Sequence, residues 1–370
     1  MEKAKLSAFQ LFALLVLFQL GTAVVVGFGV NAGKDGWLAV LLGMGLGLIF
    51  FLIYYTLFKL YPKPLTSLIQ AILGKYVGGF VGVTYITYFL YGAARDLRDV
   101  GDLLVTSVYI RTPLIIIMLL HIIAISYVLY KGITTLGRIS EIYIMVIILL
   151  GLFGNLFVIV SGTIDLNNLR PLLDEGWAPV LSTAYPLTSV FPFGELICFT
   201  VLFPYVEPKK VILPIGLSSI CICGIILAYT TALNIAVLGV DIAETSTFPL
   251  FTTVSLVNIY EFIQRIDAVV VLTLFVGAFF KTSLFFYAAL ISTAELFKVD
   301  FKKLVLPFAV IILLLATVIA KDFAEHILEG QESLYSIHAL FAVFIPFFLL
   351  IFAYIKKMVN NERKPMDQTS

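Results

Sequence analysis

The chain has 370 residues, of which 61% are hydrophobic and 13% charged, and its formal net charge is +1. With a mean hydropathy of +1.06 it lies outside the range of soluble globular domains and reads as a polytopic membrane protein. The near-zero charge gives no reason to expect a nucleic-acid partner, and three cysteines in apolar runs, Cys198, Cys221 and Cys223, imply no disulfide framework.

In chain order the pattern predicts an all-α membrane domain of ten spans, at about 6–31, 37–60, 76–107, 112–130, 133–160, 183–206, 209–238, 266–296, 303–320 and 333–356. Each is long enough to cross hydrocarbon roughly 30 Å thick. The basic start of the chain leads into an apolar run without a cleavage region, so the first run reads as a retained span and not a signal peptide. Residues 1–357 form one transmembrane domain, with halves at about 6–160 and 183–356, and 358–370 form a polar tail. Lys and Arg concentrate in alternate loops, among them Lys59, Lys63, Lys75, Lys209, Lys210, Lys298, Lys302 and Lys303, which make one face basic and predict cytoplasmic termini there. The loops of the opposite face are acidic, among them Asp165, Asp174, Glu175, Asp241, Glu244, Asp322, Glu325, Glu329 and Glu332.

Span 1 contains QLGTAVVVGFG, where Gly21 and Thr22, with Gly27 and Gly29 beyond, interrupt the apolar run and allow unwinding, although glycine there also serves helix packing; Thr22 and Ala23 read as pocket lining. Span 3 carries Tyr88, Tyr91, Arg95, Arg98, Asp99 and Asp102 within an arc of roughly 100°. Arg95 to Asp99 and Arg98 to Asp102 are i, i+4 pairs. The stripe is either a salt-bridge ladder at the outer border or the wall of a vestibule in which Tyr91 and Arg95 meet a ligand; Asp96 points away from it. Span 4 holds His121, read as a satisfied interior imidazole, and Asn155 and Asn234 read as groups that bond between helices.

Span 6, VFPFGELICFTVLF, is interrupted by Pro192, Gly194 and Glu195. Proline removes a backbone donor, and a carboxylate at mid-bilayer costs about 2.5 to 3.5 kcal/mol. The segment is either a kink with Glu195 bonded inside the bundle or a broken helix lining a cavity. Interruptions in the first and sixth of ten spans, corresponding members of two five-helix halves, point to a site between inverted repeats, with Phe191, Phe193 and Gly194 beside Glu195. The segment 245–263 reads as a helix lying over that cavity. Lys281 in span 8 is fourteen residues from both Asp267 and Glu295, too deep to snorkel with ease, and must find a partner inside. No nucleophile and base pair, metal-ligand spacing or phosphate loop is present, so neither an enzyme nor a cofactor is expected.

The loop SGTIDLNNLRPLLDEGWAPV, with LGTAVVVG in span 1, the FPFGE break and AFFKTSLFFYAA in span 8, resembles the endospore germination permeases, the B subunits of nutrient germinant receptors. The resemblance implies the fold of the amino acid, polyamine and organocation transporters, a five-plus-five inverted repeat with helices 1 and 6 broken. It implies a ligand held between helices 1 and 6 and a spore inner-membrane protein in complex with A and C subunits; as such a receptor subunit the chain is expected to bind a small nutrient between helices 1, 3, 6 and 8. In such transporters helix 8 hydroxyls and the break in helix 1 often enclose sodium; here Lys281, beside Thr282 and Ser283, would take the cation's place. The alternative is an autonomous proton-coupled amino acid transporter with Glu195 as proton carrier and Lys281 as counter-charge.

Overall fold

A computed structural model describes residues 5–27, 29–256 and 267–363. Of the tail expected at 358–370, residues 358–363 are helical and 364–370 lie outside the described residues, as does the part of the 245–263 helix beyond 256.

Ser7 opens the bundle by capping α1 (Ala8–Leu20): its hydroxyl accepts from Gln10 N–H while the Gln10 side chain accepts from Ser7 N–H. Regular winding stops at Gly21, whose φ of 2° and ψ of −110° are not helical, and resumes as the single turn α2 (Ala23–Val26). A 3-10 segment, Val30–Asp35, leads into α3 (Gly36–Leu60). The amphipathic α4 (Leu65–Leu73) precedes the long α5 (Lys75–Ser107), followed by α6 (Leu114–Lys131) and α7 (Ile133–Val160). The loop after α7 is tied down by the buried Asp35, whose Oδ2 accepts from Leu173 N–H at 2.9 Å, and ends in α8 (Trp177–Ser182).

The sixth predicted span is the irregular one. It consists of a π-helical turn, Thr183–Thr188, with extended dihedrals at Tyr185, then turn residues 191–193, then 3-10 turns at Gly194–Val201 and Phe203–Tyr205. Beyond it come α9 (Ile212–Leu238), the short α10 (Val240–Thr245) and α11 (Pro249–Ser255), α12 (Asp267–Phe297), α13 (Phe301–Val318) and α14 (Phe323–Ser333). Two π-helical turns, Leu334–His338 and Leu340–Phe344, carry the chain into α15 (Ile345–Arg363).

Among the described residues, nine helical runs are long and apolar enough to cross a membrane, and they fall on nine of the ten predicted spans. The remaining span, 183–206, offers no run of that length because its winding is broken. The only strand-like pairing among the described residues is one isolated bridge, in which Leu6 N–H donates to Tyr205 C=O at 2.8 Å and Glu207 N–H donates to Leu6 C=O at 3.1 Å. With the Lys5–Glu207 ion pair of 2.8 Å, it fastens the start of α1 to the end of the irregular span at the basic face.

α5 and α12 form the centre of the bundle, with Leu97, Phe280, Phe285 and Leu290 fully buried. Gly277 of α12 lies directly against the break in the first span: a Cβ there would sit 2.5 Å from Gly21 O. Asn234 bonds another element as expected, accepting from Thr253 Oγ1 at 2.9 Å, whereas Asn155 donates only to Gly151 O of its own helix. His121 departs from its expected satisfied state. Neither ring nitrogen has a hydrogen-bond partner, and the ring meets the edges of Phe275 and Phe279 in a greasy contact.

A charged cavity between two broken helices as candidate functional site

Between the two interruptions lies a cavity of about 1030 Å³. Exposed residues of the acidic face, among them Glu244, Thr247 and Gln331, form its rim, and Asp96, Phe191, Glu195, Lys281 and His338 form its floor. Toward the basic face the bundle is filled by the rings of Phe18, Phe199 and Phe285, with Phe18 5.4 Å from Phe199 and 5.3 Å from Phe285.

The floor is built around Lys281. The stem of this side chain passes Gly21, where a Cβ would come within 3.3 Å of Lys281 Cδ, so the glycine makes room for it. Its ammonium lies 2.9 Å from Glu195 Oε2, 3.3 Å from Asp96 Oδ1 and 3.5 Å from Thr22 Oγ1. The Phe191 ring centroid is 4.1 Å away, close enough for a cation–π contact. All three charged side chains are almost fully buried, with 1% of Lys281, 4% of Glu195 and 5% of Asp96 exposed. Hydrocarbon tolerates such groups only when they face protein or a polar cavity and pair with one another. Asp96 Oδ2 has neither a hydrogen-bond nor an ion-pair partner, and Glu195 Oε2 has only its ion pair with Lys281.

Above the floor, α14 is capped by Asp322, which accepts from Glu325 N–H at 2.9 Å, and its following turns face α5. Arg95 Nη2 donates to His326 C=O at 2.9 Å, Arg95 Nη1 lies 3.5 Å from Glu329 Oε2, and the same nitrogen is 3.4 Å from Tyr91 OH. Asp99 meets the His326 ring at 2.8 Å. The expected Arg95–Asp99 pair is thus exchanged for contacts to α14, because that helix presents a carbonyl, an acid and an imidazole to α5. Arg98 and Asp102 do pair along the helix, at 2.7 Å.

Of the residues singled out by sequence, Arg95, Phe191, Glu195 and Lys281 line the cavity. Gly21 forms the break, Thr22 touches the Lys281 ammonium and Ala23 is buried beside it in the chain. Tyr91 lies one turn from Arg95, its ring under the guanidinium at 5.8 Å. Phe193 is fully buried against α3, with its Cβ where a side chain at Gly47 would be. The Gly194 carbonyl accepts from Tyr54 OH at 2.8 Å, and Ser283 is buried without a hydrogen-bond partner. Three groups of the site were not expected from sequence: Asp96 as a partner of Lys281, His338 on the floor, and the His326–Glu329 turn over Arg95. His338 had a signal, since it is the one histidine in the apolar run 334–355. Among the described residues no group of three His, Cys, Asp or Glu side chains could hold a metal ion.

A family model described as "Spore germination protein" matches residues 5–325. Spore germination protein KB of Bacillus subtilis (strain 168) is 39% identical over 368 residues, covering 98% of both chains. Two solved structures share the fold. MhsT, in complex with L-phenylalanine, superposes with a TM-score of 0.63 at 16% identity, covering 85% of this chain and 79% of its own. Mhp1, a nucleobase-cation-symport-1 family transporter in a closed conformation with bromovinylhydantoin bound, gives 0.58 at 13% identity, covering 85% and 72%.

Proposed function

Since the chain belongs to the spore germination protein family and has a transporter-like membrane fold, we propose that it is the B subunit of a nutrient germinant receptor. A small nutrient, amino acid-like in size, enters from the acidic face and settles over Lys281, Glu195 and Asp96, with Arg95 at its upper side. The observation that carries this reading is the cavity itself: about 1030 Å³ of space ends on a buried ion cluster between two helix breaks. Such a volume, with a few convergent polar groups in mostly apolar walls, is typical of small-molecule sites. Binding there shifts the halves of the interrupted spans relative to α5 and α12, and the A and C subunits receive that shift. The chain crosses the spore inner membrane ten times as two inverted five-helix repeats, with both termini in the cytoplasm. The Lys281 ammonium serves as a built-in cation between the breaks, so ligand binding does not depend steeply on sodium.

A second reading, a proton-coupled amino acid transporter, is favoured by the shared fold with MhsT and Mhp1. Liposomes holding the purified chain separate the two with radiolabelled amino acids. Saturable binding without accumulation is the expected result for a receptor subunit, and robust accumulation would establish transport. A binding signal that rises steeply with sodium would remove Lys281 from its role as the cation.

A further inference from the structure

His338 closes the π-helical turn Leu334–His338 and is buried on the cavity floor. Its Nδ1 lies 3.3 Å from the Ser333 carbonyl oxygen. A carbonyl only accepts, so this contact is a hydrogen bond when Nδ1 carries the hydrogen, and a neutral ring then has a bare lone pair on Nε2. That Nε2 faces Glu195 Oε1 at 3.6 Å. A lone pair opposite a carboxylate oxygen is repelled, and the contact becomes attractive once a proton resides on either atom.

The charges around the ring lead independently to the same deficit. From α5, Tyr88, Tyr91, Arg95 and Asp96 surround it; from the irregular span, Glu195 and Cys198; from α12, Lys281; and from α3, Tyr54 lies behind Gly194. Phe18 and Thr22 of the first span add no ionisable group. Arg95 is engaged by Glu329 and the His326 carbonyl of α14, and Asp99 by the His326 ring. The floor is left with one ammonium against two carboxylates, so one negative charge is uncompensated in a membrane interior that disfavours it.

We propose that Glu195 and His338 together bind one proton, which brings the cavity floor to neutrality. The proton resides on His338 Nε2 or on Glu195 Oε1, between two groups held in place by Ser333 and Lys281. Its release leaves a floor of net negative charge with Asp96 Oδ2 unpartnered, a site for a cationic group of an incoming solute. The proton site stands on this geometry; its coupling to a nutrient rests on the function proposed above.

The test uses the full chain in lipid bilayers, without ligand, labelled with nitrogen-15 histidine and carboxyl-labelled glutamate for NMR. Only three histidines are present, so loss of one ring signal in His338→Gln assigns that residue. Near neutral pH the pair is expected to hold one proton, seen either as an imidazolium beside an ionised carboxylate or as a neutral ring beside a protonated carboxyl. Where the wild-type ring is charged, Glu195→Gln is expected to abolish that signal. A bare Nε2 beside an ionised Glu195 in the wild-type protein would overturn the proposal, as would a Glu195 signal that moves with sodium or potassium concentration and not with pH. Because no nutrient is present, either negative result leaves the nutrient-binding reading standing.

Discussion

Two buried ionic groups hang from α5, and they differ in whether their valences are filled. In one, Arg98 Nε meets Asp102 Oδ2 at 2.7 Å, and Arg98 Nη1 donates to Ala316 C=O at 3.1 Å and Ala320 C=O at 3.0 Å. One cation faces one anion, and the remaining contacts tie α5 to the end of α13. In the other, Lys281 faces both Glu195 and Asp96, one carboxylate oxygen is unpartnered, and the group borders the cavity. Buried polar networks that are fully satisfied rigidify a fold, whereas an open one is kept at a cost to stability. The contrast marks Arg98–Asp102 as a pair that holds the bundle together, and it supports the recognition role proposed above for Lys281–Glu195–Asp96.

Removing one partner of a buried ion pair costs about 3 to 5 kcal/mol, and Lys281→Met should fall at the upper end because it strands two carboxylates. Thermal unfolding and binding of radiolabelled amino acids in liposomes check this: both stability and binding are expected to drop. Adding Glu195→Gln and Asp96→Asn should recover stability and leave binding lost. Arg98→Met strands one carboxylate and two carbonyls, at about 3 kcal/mol, with binding retained by the folded fraction. Loss of binding in folded Arg98→Met protein would break the distinction between the two groups.

Much of this arrangement was legible in the sequence. The interruptions at Gly21–Thr22 and around Pro192–Glu195, and the need of Lys281 for an internal partner, follow from local chemistry: backbone dihedrals in the first case, desolvation in the second. Asp96 lies off the stripe as its helical position predicts, but its partner could not be read from a helical wheel, which assumes one buried face, whereas α5 packs on α12 and α13 and also meets α14. An acid off the stripe therefore meets a different neighbour. Arg95 escaped its i, i+4 partner for a similar reason, since the carbonyl of His326 and the acid of Glu329 come from a helix more than two hundred residues away in the chain. The π-winding that turns His338 onto the floor leaves no mark in hydrophobic periodicity.

Smaller perturbations sharpen the comparison. Gly277→Ala places a methyl group 2.5 Å from Gly21 O, where backbone and not a flexible side chain must yield. Overpacking of this kind costs about 1 to 3 kcal/mol. It alters no charge of either group, so weakened binding in Gly277→Ala protein would trace to displacement of the first-span break and of the Lys281 stem beside it. Radiolabel binding and unfolding temperature, measured together, give both effects.

The smallest effect is expected at the rim. Glu329 is 40% exposed and its contact with Arg95 is long, at 3.5 Å, so water screens the pair. Exposed pairs contribute about 0.2 to 1 kcal/mol. Arg95 also keeps its bond to the His326 carbonyl when the acid is neutralised. Glu329→Gln should therefore leave the unfolding temperature nearly unchanged and alter amino acid affinity by no more than about fivefold. A much larger loss would mean that the rim pair contributes to recognition as the floor does, and that the boundary between structural and functional charge on α5 lies one turn nearer the acidic face than the buried geometry indicates.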